Sequence, residues 1–226
     1  MLRRFCITAW LVLAAAAQAG AQIAPSASDL AAYDGLHAAA HAGDLEALTR
    51  LIASGADLEA RDTHGRTPAH VAGFASQDEA LRLLAEAGAD MNALEWQAYD
   101  VVTIAAVADD PALMTLAIEL GNDPGLITSP YDGTALIAAA HLGHVDLVRR
   151  LIAAGAPLDH VNTLGWTALI EAVILGDGGA DHQAVVRLLV EAGANRALPD
   201  RNGASPLDHA RARGFSAMEA LLSPPQ

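Results

Sequence analysis

Lysine does not occur in this chain: all 13 basic side chains are arginine, set against 27 Asp and Glu, for a formal net charge of −14 over 226 residues. Without lysine there is no Schiff-base lysine and no phosphate-loop lysine. So acidic a chain also lacks the basic face that nucleic-acid backbones require. Cysteine is nearly absent: Cys6 stands alone, which excludes an intramolecular disulfide and a cysteine-rich zinc site. Aromatic residues are only 4% of the chain, whereas apolar residues reach 53%, much of it alanine. That balance predicts thin helices packed closely through small contacts.

Long apolar runs are scarce as well. Phe5 to Ala17 is a 13-residue stretch that is apolar apart from Thr8. Arg3 and Arg4 precede it, and Ala17-Gln18-Ala19-Gly20-Ala21 follow, with small residues at the −3 and −1 positions of two candidate cuts. This is the pattern of a secretory signal peptide over residues 1–21, cleaved after Ala21 or Ala19. A membrane anchor would need about 20 apolar residues. No cysteine follows at a lipid-attachment spacing, and Arg3-Arg4 lacks the polar surroundings of a twin-arginine signal. Cleavage removes Arg3, Arg4 and Cys6, leaving 11 Arg against 27 acids, a net charge of −16, and no cysteine. The expected product is periplasmic or secreted, with no membrane association, because no later segment is apolar for 18 residues. Its stability must come from packing rather than from disulfides.

What the rest of the chain has is repetition. GADLEARDTHGRTPAHVAG (55–73) returns in outline at 155–173 and again at 193–211. Glycines fall at Gly55, Gly88, Gly121, Gly155 and Gly193, at intervals of 33, 33, 34 and 38. Helix starts fall at Asp34, Thr67, Asp100, Thr134, Thr167 and Ser205, at intervals of 33, 33, 34, 33 and 38. Two independent markers thus keep one period. Each unit reads as helix, turn, helix, then a finger-like loop. Pro68 and Pro206 suit a first helical turn, Thr67, Thr134, Thr167 and Ser205 suit N-caps, and Asp34 and Asp100 can fill the same place. Ala39, Ala72, Ala106, Ala139 and Ala172 keep the first helices thin. Leu48, Leu51 and Ile52, like Leu147, Leu151 and Ile152, recur at helical spacing as a buried seam.

Gly65-Arg66-Thr67-Pro68-Ala69-His70-Val71-Ala72 and the run from Gly143 to Ala156 resemble the two halves of the ankyrin repeat. The resemblance covers about residues 33–223. It implies an all-α solenoid of about six helix-turn-helix units with finger loops, at about 33–64, 65–97, 98–131, 132–164, 165–202 and 203–223. Residues 22–32 read as a short tail or a piece of an N-terminal cap. Repeat three departs from the pattern: Ala98 replaces the finger glycine, Asp100-Val101-Val102-Thr103 replaces T-P-L-H, and one residue is inserted after it, so local softness or a bend is expected there. Repeat five carries five extra residues around Gly176–Asp181, and the sixth unit stops at Pro224-Pro225.

Nine histidines raise a metal or catalytic reading. His37 and His41 have the spacing of a zinc-protease helix, but Ala38 stands where its general-base Glu would be. His37 and His70 occupy the T-P-L-H place, where the resemblance implies a hydrogen bond to neighbouring loops. His141, His144 and Asp146 are too sparse for a ligand shell. Asp177 and Asp181 lack the alternating ligands of a calcium loop. No nucleophile motif appears. Neither a metal, a cofactor nor catalysis is therefore expected.

The aromatics are unevenly placed. Counting back one residue from each helix start gives Tyr33, Arg66, Tyr99, Gly133, Trp166 and Ala204, and Trp96 and Tyr131 lie on finger tips too. The inner-helix column reads His41, Phe74, Val107, His141, Ile174 and Arg211. In the family this chain resembles, fingers and inner helices line a concave groove that binds partners. Trp, Tyr and Arg are frequent interface anchors. The expected partner-binding residues are Arg66, Phe74, Trp96, Tyr99, Tyr131, His141 and Trp166, with His41 lining the groove. The bland counterpart is that these rings stack on neighbouring fingers. The acids read as a solvated face and point less directly to a basic partner surface. The expectation is an exported, monomeric, non-catalytic protein-interaction module whose partner is a protein and not nucleic acid. Its alternatives are a protective accessory factor for a periplasmic enzyme, such as an antioxidant one, by analogy with other exported proteins of this kind, and a metal or small-molecule binder using groove histidines.

Overall fold

Alternating short helices and glycine-closed turns build the molecule into a single curved stack. The computed structural model describes residues 22–223; the signal-peptide expectation at 1–21 and the terminal Pro224-Pro225 lie outside the described residues. Among those residues there are 13 helices and no strand, only an isolated antiparallel bridge between Thr128 and Gly133. A short helix α1 (Ala27–Ala32) leads. Six pairs follow: α2 (Gly35–Ala42) with α3 (Leu45–Ala53), α4 (Pro68–Phe74) with α5 (Asp78–Glu86), and α6 (Val101–Ala108) with α7 (Pro111–Glu119). Then come α8 (Ala135–Leu142) with α9 (Val145–Ala153), α10 (Ala168–Ile174) with α11 (Ala180–Glu191), and α12 (Pro206–Arg213) with α13 (Ser216–Leu222).

Local chemistry sets these boundaries. Pro68 and Pro206 open α4 and α12, where a missing N–H is harmless. Thr134, Thr167, Asp100 and Ser205 accept the backbone N–H three residues on, as N-caps do. Asp34 sits at the N-cap of α2 without a side-chain cap bond, so its expected capping role is corrected. Gly121 ends α7 at φ +101°, backbone that L side chains rarely adopt.

The first helices form a continuous row, α2 against α4, α6, α8, α10 and α12, and beside it the second helices pack on one another, α3 on α5, α7 on α9, α9 on α11 and α11 on α13. Ala39, Ala72, Ala106, Ala139 and Ala172 are all buried, as the thin-helix pattern predicts. Leu48, Leu147 and Leu151 are fully enclosed in the same core, and Leu51, Ile52 and Ile152 pack on its edge. No repeat could bury its apolar face alone; stacking makes one core. Histidines fasten adjacent repeats: His37 Nε2 donates to the Arg66 carbonyl at 2.9 Å and His70 Nε2 to that of Tyr99 at 3.0 Å. The His70 Nδ1 accepts the Thr67 N–H, and burial lowers its pKa to about 4, so the ring works as a neutral bridge.

Repeat three replaces the missing motif with amides. The Asn122 amide donates to Asp100 at 2.8 Å, its oxygen accepts from the Val102 N–H, and Asn92 bonds both Asn122 and the Asp123 N–H. Burial pushes the Asp100 carboxyl up, while its bonds to Thr103 and Asn122 oppose that shift. Where Gly65, Gly165 and Gly203 stand in other fingers, Ala98 is held at φ +61°, as Asp132 is at φ +53° in the next finger. A non-glycine residue there costs roughly 1–2 kcal/mol. Ala98→Gly should therefore raise the unfolding free energy by roughly 0.5–1 kcal/mol in urea titration, after the entropy cost of glycine. An unchanged or lowered midpoint would count against strain at this position.

The insertion in repeat five becomes a loop plus a longer second helix, α11 having 12 residues where α9 has 9. His182 ties the loop back: its Nδ1 lies 3.0 Å from Asp177 Oδ1, and its Nε2 donates to the His141 carbonyl at 2.9 Å.

Candidate functional site

Fingers and inner helices of repeats three to five enclose a groove of about 330 Å³. Its lining includes Tyr99, Tyr131 and His141, together with Val107, Ile137 and Leu142. The groove thus joins three of the seven sequence-predicted residues. Each is positioned by bonds along its element. The Tyr99 N–H donates to the Glu95 carboxylate and its carbonyl is held by His70. The Tyr131 carbonyl accepts from both the N–H and hydroxyl of Thr163 on the next finger. His141 sits in the last turn of α8. Tyr99 is only 5% exposed, so it offers the groove little surface. Its burial raises the phenol pKa.

The other predicted residues lie elsewhere. Trp96 is 69% exposed but seated over Gly65: a Cβ there would meet the indole at 2.3 Å, so this ring stacks on the preceding finger. Trp166 is half-buried beside Asn162, to which its N–H donates, and is outside the groove lining. Phe74 packs on the core from α4, and His41 is half-buried in α2.

Arg66 is 1% exposed, and the expectation that it meets a partner is corrected. Its Nε donates to Asp62 at 2.6 Å, its Nη2 to Asp29 at 2.9 Å and its Nη1 to the Ile23 carbonyl at 3.1 Å. The guanidinium is consumed in fastening residues 23–29 to the first finger. Tyr33 completes the cluster by donating to Asp62 at 2.8 Å. The Ser26 N–H first, and Arg66 second, hold the Asp29 carboxyl at about 2.

Sequence reasoning missed Glu171. It lies on α10, 5% exposed, in the lining of the groove. The Asn162 amide donates to its Oε1 at 2.7 Å, and its Oε2 lies 3.6 Å from the His141 Nδ1. Burial pushes the carboxyl up to about 7 against the opposing Asn162 bond. Burial, then repulsion from His182, pushes the His141 pKa down. At neutral pH the pair is therefore a carboxyl near its midpoint beside a neutral imidazole. The signal was present: one acid in the apolar run Ala168–Ile174.

Among the described residues, no group of three or more His, Cys, Asp or Glu could hold a metal ion, and no helix is long and apolar enough to cross a membrane. His144, in the second sparse cluster, donates instead to the Ala106 carbonyl at 2.9 Å.

A family model described as "Ankyrin repeats (3 copies)" matches residues 10–95 and 102–195. The chain is 42% identical over 93 residues to the putative ankyrin repeat protein YahD of Escherichia coli K12, a match covering 41% of this chain and 46% of that protein. The chain thus spans about half the length of that curated relative. An ankyrin repeat domain from Acinetobacter baumannii superposes with a TM-score of 0.77 at 43% identity, covering 83% of this chain and 95% of the other. The ankyrin repeat domain of Bcl-3, a member of the IkappaB family, gives 0.75 at 28% identity, covering 84% and 85%. Ankyrin repeats generally serve as protein–protein interaction modules. By its matched repeats, its helical stack and these relatives, the chain belongs to the ankyrin repeat family.

Proposed function

We propose that this chain is a non-catalytic interaction module, exported from the cytoplasm, that binds a partner protein in the groove of repeats three to five. The observation that carries the reading is the joining of Tyr131, His141 and Leu142 on one concave surface that the fold leaves open. Leu142 is 42% exposed at its edge, an apolar side chain facing water without a structural task. Export is supported by the charged start, apolar run and small-residue cuts of residues 1–21. The contact set now comprises Tyr131, His141 and Leu142, with Tyr99 behind them and Trp96 and Trp166 as flanking finger residues.

The test is capture from periplasmic extract with the mature chain as bait, read by quantitative mass spectrometry. Tyr131→Ala with Leu142→Ser should lower recovery of the specific partner at least tenfold, which corresponds to about 1.4 kcal/mol. Glu46→Ala, on the exposed outer helix α3, should leave recovery unchanged. Full recovery by a folded double variant would remove the groove from the binding surface. The protein isolated from that compartment should begin at Gln22 or Gly20.

A further inference from the structure

Glu171 is a buried carboxyl whose immediate partners are neutral. The Asn162 amide holds one oxygen, and His141, the ring nearest the other, is held neutral by burial and by His182. Among the described lining residues Glu171 is the sole carboxylate, and none is Arg. Most of that lining is apolar or hydroxylic, and it includes the rings of Tyr99 and Tyr131. Aromatic faces attract cations, and a desolvated carboxylate gains most from a countercharge placed against it. No arginine among the described lining residues supplies one, and the nearest ring, His141, is neutral.

We infer that the groove receives a cationic side chain, Arg or Lys, of the partner protein, with Glu171 as its counter-ion and Tyr131 as its aromatic wall, Tyr99 lying buried behind it. This deepens the proposed function and rests on it. A volume of about 330 Å³ holds one such side chain and the residue that bears it. An incoming cation also makes ionisation of Glu171 favourable. Since the free carboxyl titrates near 7, binding near neutrality releases a proton. The titratable groups facing this point are His141 on α8, His182 on α11, and the Tyr99 and Tyr131 phenols on the fingers. His141, when charged, would repel the cation, so it reinforces the same pH direction.

The probes are two capped tripeptides, Gly-Arg-Gly and its neutral isostere Gly-citrulline-Gly, titrated into the mature protein and followed by the NMR signals of Tyr99, Tyr131 and His141. The arginine peptide should saturate those signals and bind at least tenfold tighter than the citrulline peptide. Its affinity should rise about tenfold from pH 6 to pH 8, following the ionised fraction of Glu171. Glu171→Gln should erase the charge preference and most of the pH dependence, while Glu46→Gln on α3 should change neither. Equal binding of the two peptides, no saturable binding, or an undiminished preference in Glu171→Gln overturns the inference. A carboxyl that only braced the finger through Asn162 would give no charge preference. Partner capture that depends on Tyr131 stands independently: if capture depends on Tyr131 but the peptides are not distinguished, the cation chemistry alone fails. If capture is indifferent to Tyr131, the groove reading fails first.

Discussion

Arg66→Ala should lower the unfolding free energy by about 3 kcal/mol, the lower end of the cost of removing one partner from a buried ion pair. The substitution does more than delete a contact. Asp62 and Asp29, whose side chains are 6% and 11% exposed, would keep their charge and lose their cation. Asp62 retains bonds from Tyr33 and from the backbone N–H groups of His64 and residue 66, which limits the loss. Asp29 retains the Ser26 N–H and hydroxyl, with the His64 Nδ1 at 3.7 Å. Residues 23–33 should therefore loosen first, and hydrogen exchange there should rise before any change in α8 or α10. Arg66→Lys should recover part of the loss, because one ammonium cannot reproduce the guanidinium fork that reaches Asp62, Asp29 and the Ile23 carbonyl together. A melting curve for Arg66→Ala within experimental error of the parent would show that the cluster contributes nothing net. Acid should mimic the lesion. Asp29 has its pKa depressed from 3.8 to about 2, so its stabilisation is present above 3.8 and lost as the pH falls through 2.

The same arginine shows where a sequence stops informing. The period of Gly55, Gly88, Gly121, Gly155 and Gly193, together with the Thr and Pro helix starts, carries the stack because each marker acts within its own repeat. Local caps and turns need no knowledge of distant residues. Arg66 stands in the column that also holds Tyr33, Tyr99 and Trp166, and that column places it beside the fingers. What buries it is Asp29, 37 residues earlier, in a segment with no repeat signature. The amide replacement in repeat three is equally non-local: Asn122 reaches Asp100 across 22 positions and Asn92 across 30. Trp96 illustrates a third limit. Its position on a finger is legible, but its resting place over Gly65 depends on how two fingers approach. The groove was legible as two columns, fingers and inner helices. Its floor was marked only by a lone acid in the apolar run Ala168–Ile174, because the partners that make Glu171 part of a groove, Asn162 and His141, lie on another finger and another helix.

Glu171→Gln should stabilise the protein, by an amount that grows from pH 4.5 upward and is complete above 7. The native carboxyl titrates at about 7 and the unfolded one near 4.5. Between those values the folded state holds a proton that the unfolded chain has already released, so stability falls as the pH rises through that window. Above 7 the full cost of an ionised, enclosed carboxylate is present, roughly 3 kcal/mol for a shift of this size. Glutamine keeps the geometry: its amide oxygen can accept from Asn162, and its NH2 takes the place of the oxygen 3.6 Å from the His141 Nδ1. The variant and parent should therefore have matching urea midpoints at pH 4.5 and diverge to roughly 3 kcal/mol at pH 8. Acid destabilisation through His70, lowered from 6.5 to about 4, affects both proteins alike and cancels in the difference. A constant difference across this range would mean that Glu171 ionises as readily folded as unfolded. The same concentration of arginine tripeptide should stabilise the parent at pH 8 more than Glu171→Gln, because ligand stabilisation grows with affinity for the folded form. Stabilisation of both by the same amount would place the peptide away from Glu171. A carboxylate that weakens the empty fold and strengthens the occupied one is what separates a binding group from a structural one at this position.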